Sequence, residues 1–285
     1  MVTLALATAS LAGCGLVRDV ELELPGFDAP PFLECYLTPG EPYRLLLTRT
    51  ASIFDTIDAD TARFLENLTL DGARVTVEHA GQTVVLDNAY ALDERTSQAF
   101  NYTARERVPH NYRDSFRLTV ELPDGGLIRA ATLLLPAVPN DSVLTEYDGA
   151  RLERGDSLAR VRTYFTDPDA GRVNRFHHLL TVGQRGRPAE RDFVFADEFN
   201  AGLTIGTVSF YRFAPRDTVR VVTAHVDAVF ERYLTSLQLS LASNGNPFAQ
   251  ASPVIGNLEG TGSGEGALGI FTSYDYNEEA VAIGP

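Results

Sequence analysis

Short runs in which apolar residues alternate with polar ones recur along nearly the whole chain, and each is closed by Gly, Pro, Asn or Asp. Every second side chain of an extended strand reaches the same face, so this rhythm builds half-buried strands and opposes a helical core. The clearest case is 115–122, where Phe116, Leu118, Val120 and Leu122 share one face and Arg117, Thr119 and Glu121 the other. Asp124, Gly125 and Gly126 then supply a tight hairpin turn into 126–134.

In the first half the pattern predicts strands at 31–38, 42–50, 73–79, 82–87, 99–103, 115–122 and 126–134. Seven strands in about 110 residues predict an immunoglobulin-like β-sandwich over residues 31–137. Residues 51–65 break the rhythm and read as an excursion loop with a short helix. Pro136 and Pro139 forbid ladder hydrogen bonds and mark a boundary. A second β-rich domain over 138–285 is expected to hold strands at 142–148, 158–166, 173–182, 191–196, 207–213, 217–225, 267–274 and 279–283. It also holds the one helix, 227–241, capped by Asp227 and packed through a stripe of Val229, Phe230, Tyr233, Leu234, Leu237 and Leu241. The glycine-rich stretch 256–266 reads as a flexible loop. The fold class is therefore mainly β: two sandwich-like domains, the second carrying a single packed helix.

Charge excludes several functions. Asp and Glu number 38 against 24 basic residues, all of them Arg, for a net charge of -14. Such a chain does not bind a nucleic-acid backbone. Without Lys it also has no phosphate-loop lysine, no Schiff base and no lysine general base.

Residues 1–13 are small and apolar, too short for a bilayer core that needs roughly 20 residues, and read as a signal peptide. Leu11, Ala12, Gly13 and Cys14 match the bacterial lipobox, in which a peptidase cuts after a small residue and the cysteine sulfur accepts the lipid. No Arg or Lys precedes Cys14, which departs from the cationic opening of such signals. Cys14 is thus the expected lipidation site, followed by a polar, Pro-containing tether over 14–30. Gly15 in place of Asp directs the protein to the outer membrane rather than the inner one. Cys35 is then alone and, within a strand-like run, reads as a buried inert thiol.

No catalytic, cofactor or metal constellation emerges. The glycines at 260, 262, 264 and 266 lack the strand, helix and Lys of a phosphate loop, and Thr261 breaks the spacing of a nucleophile elbow around Ser263. Asp167 and Asp169 have calcium-loop spacing, but Arg172 and His178 stand where Gly and Glu are required, so a turn built on Pro168 and Gly171 explains them better. His177 and His178 are adjacent on a strand and leave opposite faces, while His79, His110 and His225 are scattered. Asp192, Asp197 and Glu198 could pair for acid–base work but read as solvated loop charges.

Taken together and in order, the acidic-hydrophobic lead DVELELP, then PYRLLLTRTASIFD, GARVTVEHAGQTVVL, FRLTVELPDGGLIRAATLLLPAVPNDSV, VRTYFTDPDAGRVNRF, FAPRDTVRVVTAHVDAVFERYLTSLQ, GNPFA and GALGIFTSY resemble the Bacteroidota lipoproteins called domain of unknown function 4249. Cys35, where such proteins are expected to carry a small residue, is a departure. The resemblance implies an outer-membrane lipoprotein, often encoded beside TonB-dependent receptors, and brings no catalytic residues with it. The expected function is non-enzymatic: a lipid-held binding partner of a TonB-dependent barrel, with 51–65 and 256–266 as contact regions. The competing expectation is a lipid-anchored periplasmic or surface enzyme.

Overall fold

The computed structural model describes residues 29–50, 68–93, 98–148, 158–183, 189–198, 202–243 and 253–284. Cys14, most of the tether and the 51–65 excursion lie outside the described residues. Among those described the chain is mainly β with one α-helix packed against its sheets.

The first unit is built from β1 (Pro31–Leu37), β2 (Pro42–Arg49), β3 (Arg74–His79), β4 (Gln82–Asp93), β5 (Gln98–Arg107), β6 (Phe116–Glu121) and β7 (Leu127–Thr132). Two later strands, β14 (Glu259–Thr261) and β15 (Leu268–Ser273), join it, giving the order β14-β7-β6-β3-β4-β5-β2-β1-β15. β4 serves both halves of this sheet: it pairs with β3 over 82–86 and with β5 over 87–93, the second pairing interrupted by an irregularity between Asn88 and Ala91. A bulge of this kind bends a strand. The sheet doubles over, and Leu33, Cys35, Leu37, Leu45 and Leu47 pack against Val75, Val77, Phe116, Leu118 and Val120 in one core. The alternation read from 115–122 is realised, with Phe116, Leu118 and Val120 buried and the residues between them on the other face.

The strand expected at 267–274 forms, but in the first sheet rather than beside its sequence neighbours. β15 runs parallel to β1, Phe32 opposite Leu268 and Leu37 opposite Ser273. Gly269 makes the approach possible: its φ is +117°, and a Cβ there would stand 1.9 Å from the Leu33 carbonyl oxygen. The glycine-rich stretch 256–266 corrects the expectation of a flexible loop. β14 pairs with β7, a 3-10 turn follows at Gly262–Gly264, and a Cβ on Gly260 would fall 1.7 Å from the Gly264 oxygen. Its glycines let backbone pack on backbone.

The second unit has a three-stranded sheet of β8 (Ser142–Tyr147), β9 (Ala159–Thr166) and β12 (Thr204–Val208), ordered β12-β9-β8. Facing it is a four-stranded sheet of β10 (Arg175–Val182), β11 (Arg191–Ala196), β13 (Thr218–Val226) and β16 (Asp275–Ala282), ordered β11-β10-β13-β16. Val138, Phe165, Phe176 and Ile205 fill one part of the space between them, and Ala159, Val161, Leu180, Phe213, Val219 and Val221 another. The strand expected at 207–213 lies at Thr204–Val208 instead, and the last strand begins at Asp275 rather than 279.

The helix α1 (Ala228–Ser243) starts where expected, with the Phe230 N–H donating to Asp227 Oδ1 at 2.8 Å. Phe230 and Tyr233 are buried against Ala224 and Val226 of β13 and Ile270 of β15, so the helix wedges between the two units. Leu241 departs from the expected stripe and is 64% exposed, while Phe230, Tyr233, Leu234 and Leu237 belong to the cluster beneath the helix.

Candidate functional site

Strand alternation creates two outward faces that confront each other. On β1, Leu33, Cys35 and Leu37 point into the first core while Glu34 and Tyr36 point out, and on β2 Arg44 does the same. On β10, Phe176, His178 and Leu180 turn toward the second core while His177, Leu179 and Thr181 leave from the opposite face. A cavity of about 370 Å³ lies between these faces, with Phe230 and Leu234 of α1 bordering it. That volume falls in the range of small-molecule sites, which are concave and lined by apolar groups with a few placed polar ones.

The lining holds a linked hydrogen-bond system. With Asp192 ionised, His177 Nε2–H donates to its Oδ1 at 2.7 Å, and His177 Nδ1 accepts from the Tyr274 hydroxyl at 2.7 Å. Burial, then the Asp192 carboxylate and Tyr276, hold the Tyr274 phenol well above its ordinary pKa, so its proton stays on. Around it stand rings at contact distance: Tyr274 lies 5.6 Å from Phe230, 5.7 Å from Tyr276 and 6.1 Å from Tyr36 between centroids. Behind Tyr36, Glu34 Oε1 accepts from the Tyr36 hydroxyl at 3.0 Å and the Tyr233 hydroxyl at 2.5 Å, which ties the helix to β1. Two ion pairs border the space, Arg44 with Asp93 at 2.7 Å and Arg220 with Glu278 at 2.9 Å.

Of the candidate catalytic and metal-binding residues weighed in the sequence, only His177 and Asp192 meet in this cavity. Asp197 lies on the opposite parity of the chain from Asp192 and is buried elsewhere, accepting from the Asn174 backbone N–H at 2.8 Å and its side-chain amide at 3.0 Å. The three acids 192, 197 and 198 are therefore not a unit. Asp167 shares that Asn174 amide at 2.8 Å and accepts the Asp169 N–H at 3.0 Å, the turn expected for this segment. Burial works to raise the Asp167 carboxyl, but the N–H groups of Gly202 and Asp169, with Asp197 and Asn174, outweigh it and hold the pKa low. Among the described residues, no group of three or more His, Cys, Asp or Glu side chains is placed to hold a metal. Cys35 is fully buried, and burial pushes its thiol up to about 12, which makes it inert. His178 faces Thr223 and Thr207 inside the second unit, away from His177.

Tyr36, Tyr274, Arg44 and Arg220 escaped sequence reasoning. The only trace that Tyr36, Arg44 and Arg220 leave is parity, since each sits at an outward position of its strand, while Tyr274 lies in the turn between β15 and β16 and leaves none. No family model matches the chain, and no curated protein matches it in sequence. The family resemblance rests on the quoted segments alone.

Proposed function

We propose that this protein is a lipid-anchored binding protein of the outer membrane, accessory to a TonB-dependent receptor, and that it seats a small ligand between its two β-units. The cavity carries this reading: it is walled by outward faces of both units and a helix, and its polar groups converge on one ring-lined space. The anchor at Cys14 and the receptor partnership come from the lipobox and the segment resemblance. A diacylated cysteine supplies the two chains that stable anchoring requires.

The carboxylate–imidazole–hydroxyl chain of Asp192, His177 and Tyr274 favours a second reading, a hydrolase, because that order activates nucleophiles elsewhere. Its weight is limited by the phenol itself. Burial keeps the proton on Tyr274, its hydrogen bond goes to His177 Nδ1, and a phenol is a less common nucleophile than a serine hydroxyl or a cysteine thiol.

The test is affinity purification of a tagged full-length chain from native membranes, with fatty-acid analogue labelling alongside. Wild type should carry the label and bring down a TonB-dependent barrel in comparable amount, while Cys14→Ser should lose the label. Equal labelling of both would overturn the anchor at Cys14, and recovery of the protein with a small molecule that it turns over would reverse the reading in favour of the enzyme.

A further inference from the structure

The turn between β9 and β10 meets the end of β11 at one edge of the second unit. Asp167 directly follows β9, Asn174 directly precedes β10 and Asp197 directly follows β11, so their side chains join the two facing sheets. Asp167, Asn174 and Asp197 are 7%, 2% and 1% exposed, and none of them lines the cavity between the units.

The Asn174 amide does not fit its surroundings as a plain structural amide would. Its Nδ2 carries two hydrogens but faces four oxygens: Asp167 Oδ1 at 2.8 Å, the Asp169 carbonyl at 2.9 Å, Asp197 Oδ2 at 3.0 Å and the Arg172 carbonyl at 3.2 Å. Its Oδ1 is buried and has no hydrogen-bond partner. Two carboxylates gathered on one nitrogen also repel each other. Among the described residues neither is in an ion pair, and Arg172, on the same turn, pairs with Asp169 instead at 3.1 Å.

A half-turn of the amide exchanges its nitrogen and oxygen, and with a cation present it removes both faults. Oδ1 then stands 2.8–3.2 Å from the same four oxygens. Six to eight oxygens held about 2.3–2.6 Å from one calcium ion are themselves roughly 3 Å apart, so these five already have the spacing of part of such a shell. Two carboxylates alone would not make a site. The buried amide oxygen that needs a positive partner is what points to an ion, and the two main-chain carbonyls extend an all-oxygen donor set. Magnesium suits it poorly, because that ion demands a tighter octahedron and keeps much of its water.

We infer that Asp167, Asp197, the turned Asn174 amide and the carbonyls of Asp169 and Arg172 bind one calcium ion, which clamps the ends of β9, β10 and β11. This is not the helix-flanked loop that Arg172 and His178 exclude. There one loop supplies every ligand, whereas here Asp197 comes from a second. With only two carboxylates the dissociation constant is expected on the order of 10⁻⁴–10⁻³ M.

The test uses full-length protein in detergent, freed of metal with EDTA and dialysed. Calorimetric titration with calcium chloride should show one ion per chain in that affinity range. At about 5 mM calcium the melting temperature should rise by roughly 2–6 °C over sodium chloride of equal ionic strength, while magnesium leaves it within about 1 °C. Asp197→Asn should lose the calcium shift. Asn174→Asp, which puts a third carboxylate where the amide stands, should melt below wild type without the ion and bind calcium at least tenfold more tightly. A purely structural role for these residues would destabilise both variants and leave no calcium dependence. Absence of a calcium-specific shift in wild type, an equal shift with magnesium, or a calcium shift that both variants keep at wild-type size overturns the inference. Where a variant does not fold, the wild-type comparison of calcium, magnesium and sodium decides.

Discussion

His178 lies between the sheets of the second unit, its ring 3.0 Å from the Thr207 hydroxyl and 3.3 Å from that of Thr223. Burial, then the charges of Arg191 and His177, lower its pKa from 6.5 to about 4. The native ring therefore binds fewer protons than the unfolded one as pH falls through this window. Its stabilising contribution is fully present above about 6.5 and is lost progressively toward pH 4, on the order of 3 kcal/mol in all. Urea denaturation at steps from pH 7.5 to 4.5 should show the midpoint falling, and His178→Gln should flatten that part of the slope. An unchanged slope in the variant would assign the loss to other groups. His177, one residue away, faces the cavity instead, so the same two-letter sequence serves a core and a site.

At the scale of elements, α1 shows two contributions of different size. Asp227 satisfies one orphan N–H at the start of the helix, and its replacement by Ala should cost about 1 kcal/mol. Phe230 is 4% exposed and packs beside Tyr36, His177 and Tyr274, so Phe230→Ala should cost about 3–5 kcal/mol through lost burial and a residual cavity. Guanidinium denaturation of the two variants should reproduce this order. A larger loss in Asp227→Ala would mean that the helix is held by its end rather than by its face. The stripe of apolar residues was legible in the sequence because helical spacing puts them on one side. That the covered stripe stops before Leu241 has no local signal, since Leu241 shares the helical spacing of the buried residues.

At the scale of the molecule, the chain passes from the first unit to the second at 135–139 and, after returning between α1 and β14, again at 273–275, and these two crossings are stitched together. Leu135 N–H donates to Ser273 Oγ at 3.1 Å, and Asp275 Oδ2 accepts from the Ala137 N–H at 3.2 Å and the Tyr112 hydroxyl at 2.8 Å. Residues 31–137 expressed alone would lack β15, leaving β1 an unpaired edge, and would lack Phe271 from the core. That fragment should aggregate or unfold without a cooperative transition. The full chain should give one, followed by circular dichroism and limited proteolysis. A fragment that melts cooperatively on its own would show that β15 is dispensable.

Local sequence alone determined which residues lie inside most of the strands, though not β12 or the start of β16, because the side-chain period is two and a buried face needs apolar groups at every second position. It also determined the helix and its cap and the hairpin after Leu122, set by neighbours close along the chain, and the inward parity of Cys35, whose inertness the packed core completes. Only the tertiary structure decided that β15 pairs with β1, since a ladder hydrogen bond reads backbone position and carries no trace in side-chain rhythm. It also decided the site. His177, Asp192 and Tyr274 meet because β10 pairs with β11 and because the turn after β15 reaches across to β16. No spacing within one strand encodes a meeting of residues brought together by folding, so the sequence could name two of the three and not their contact.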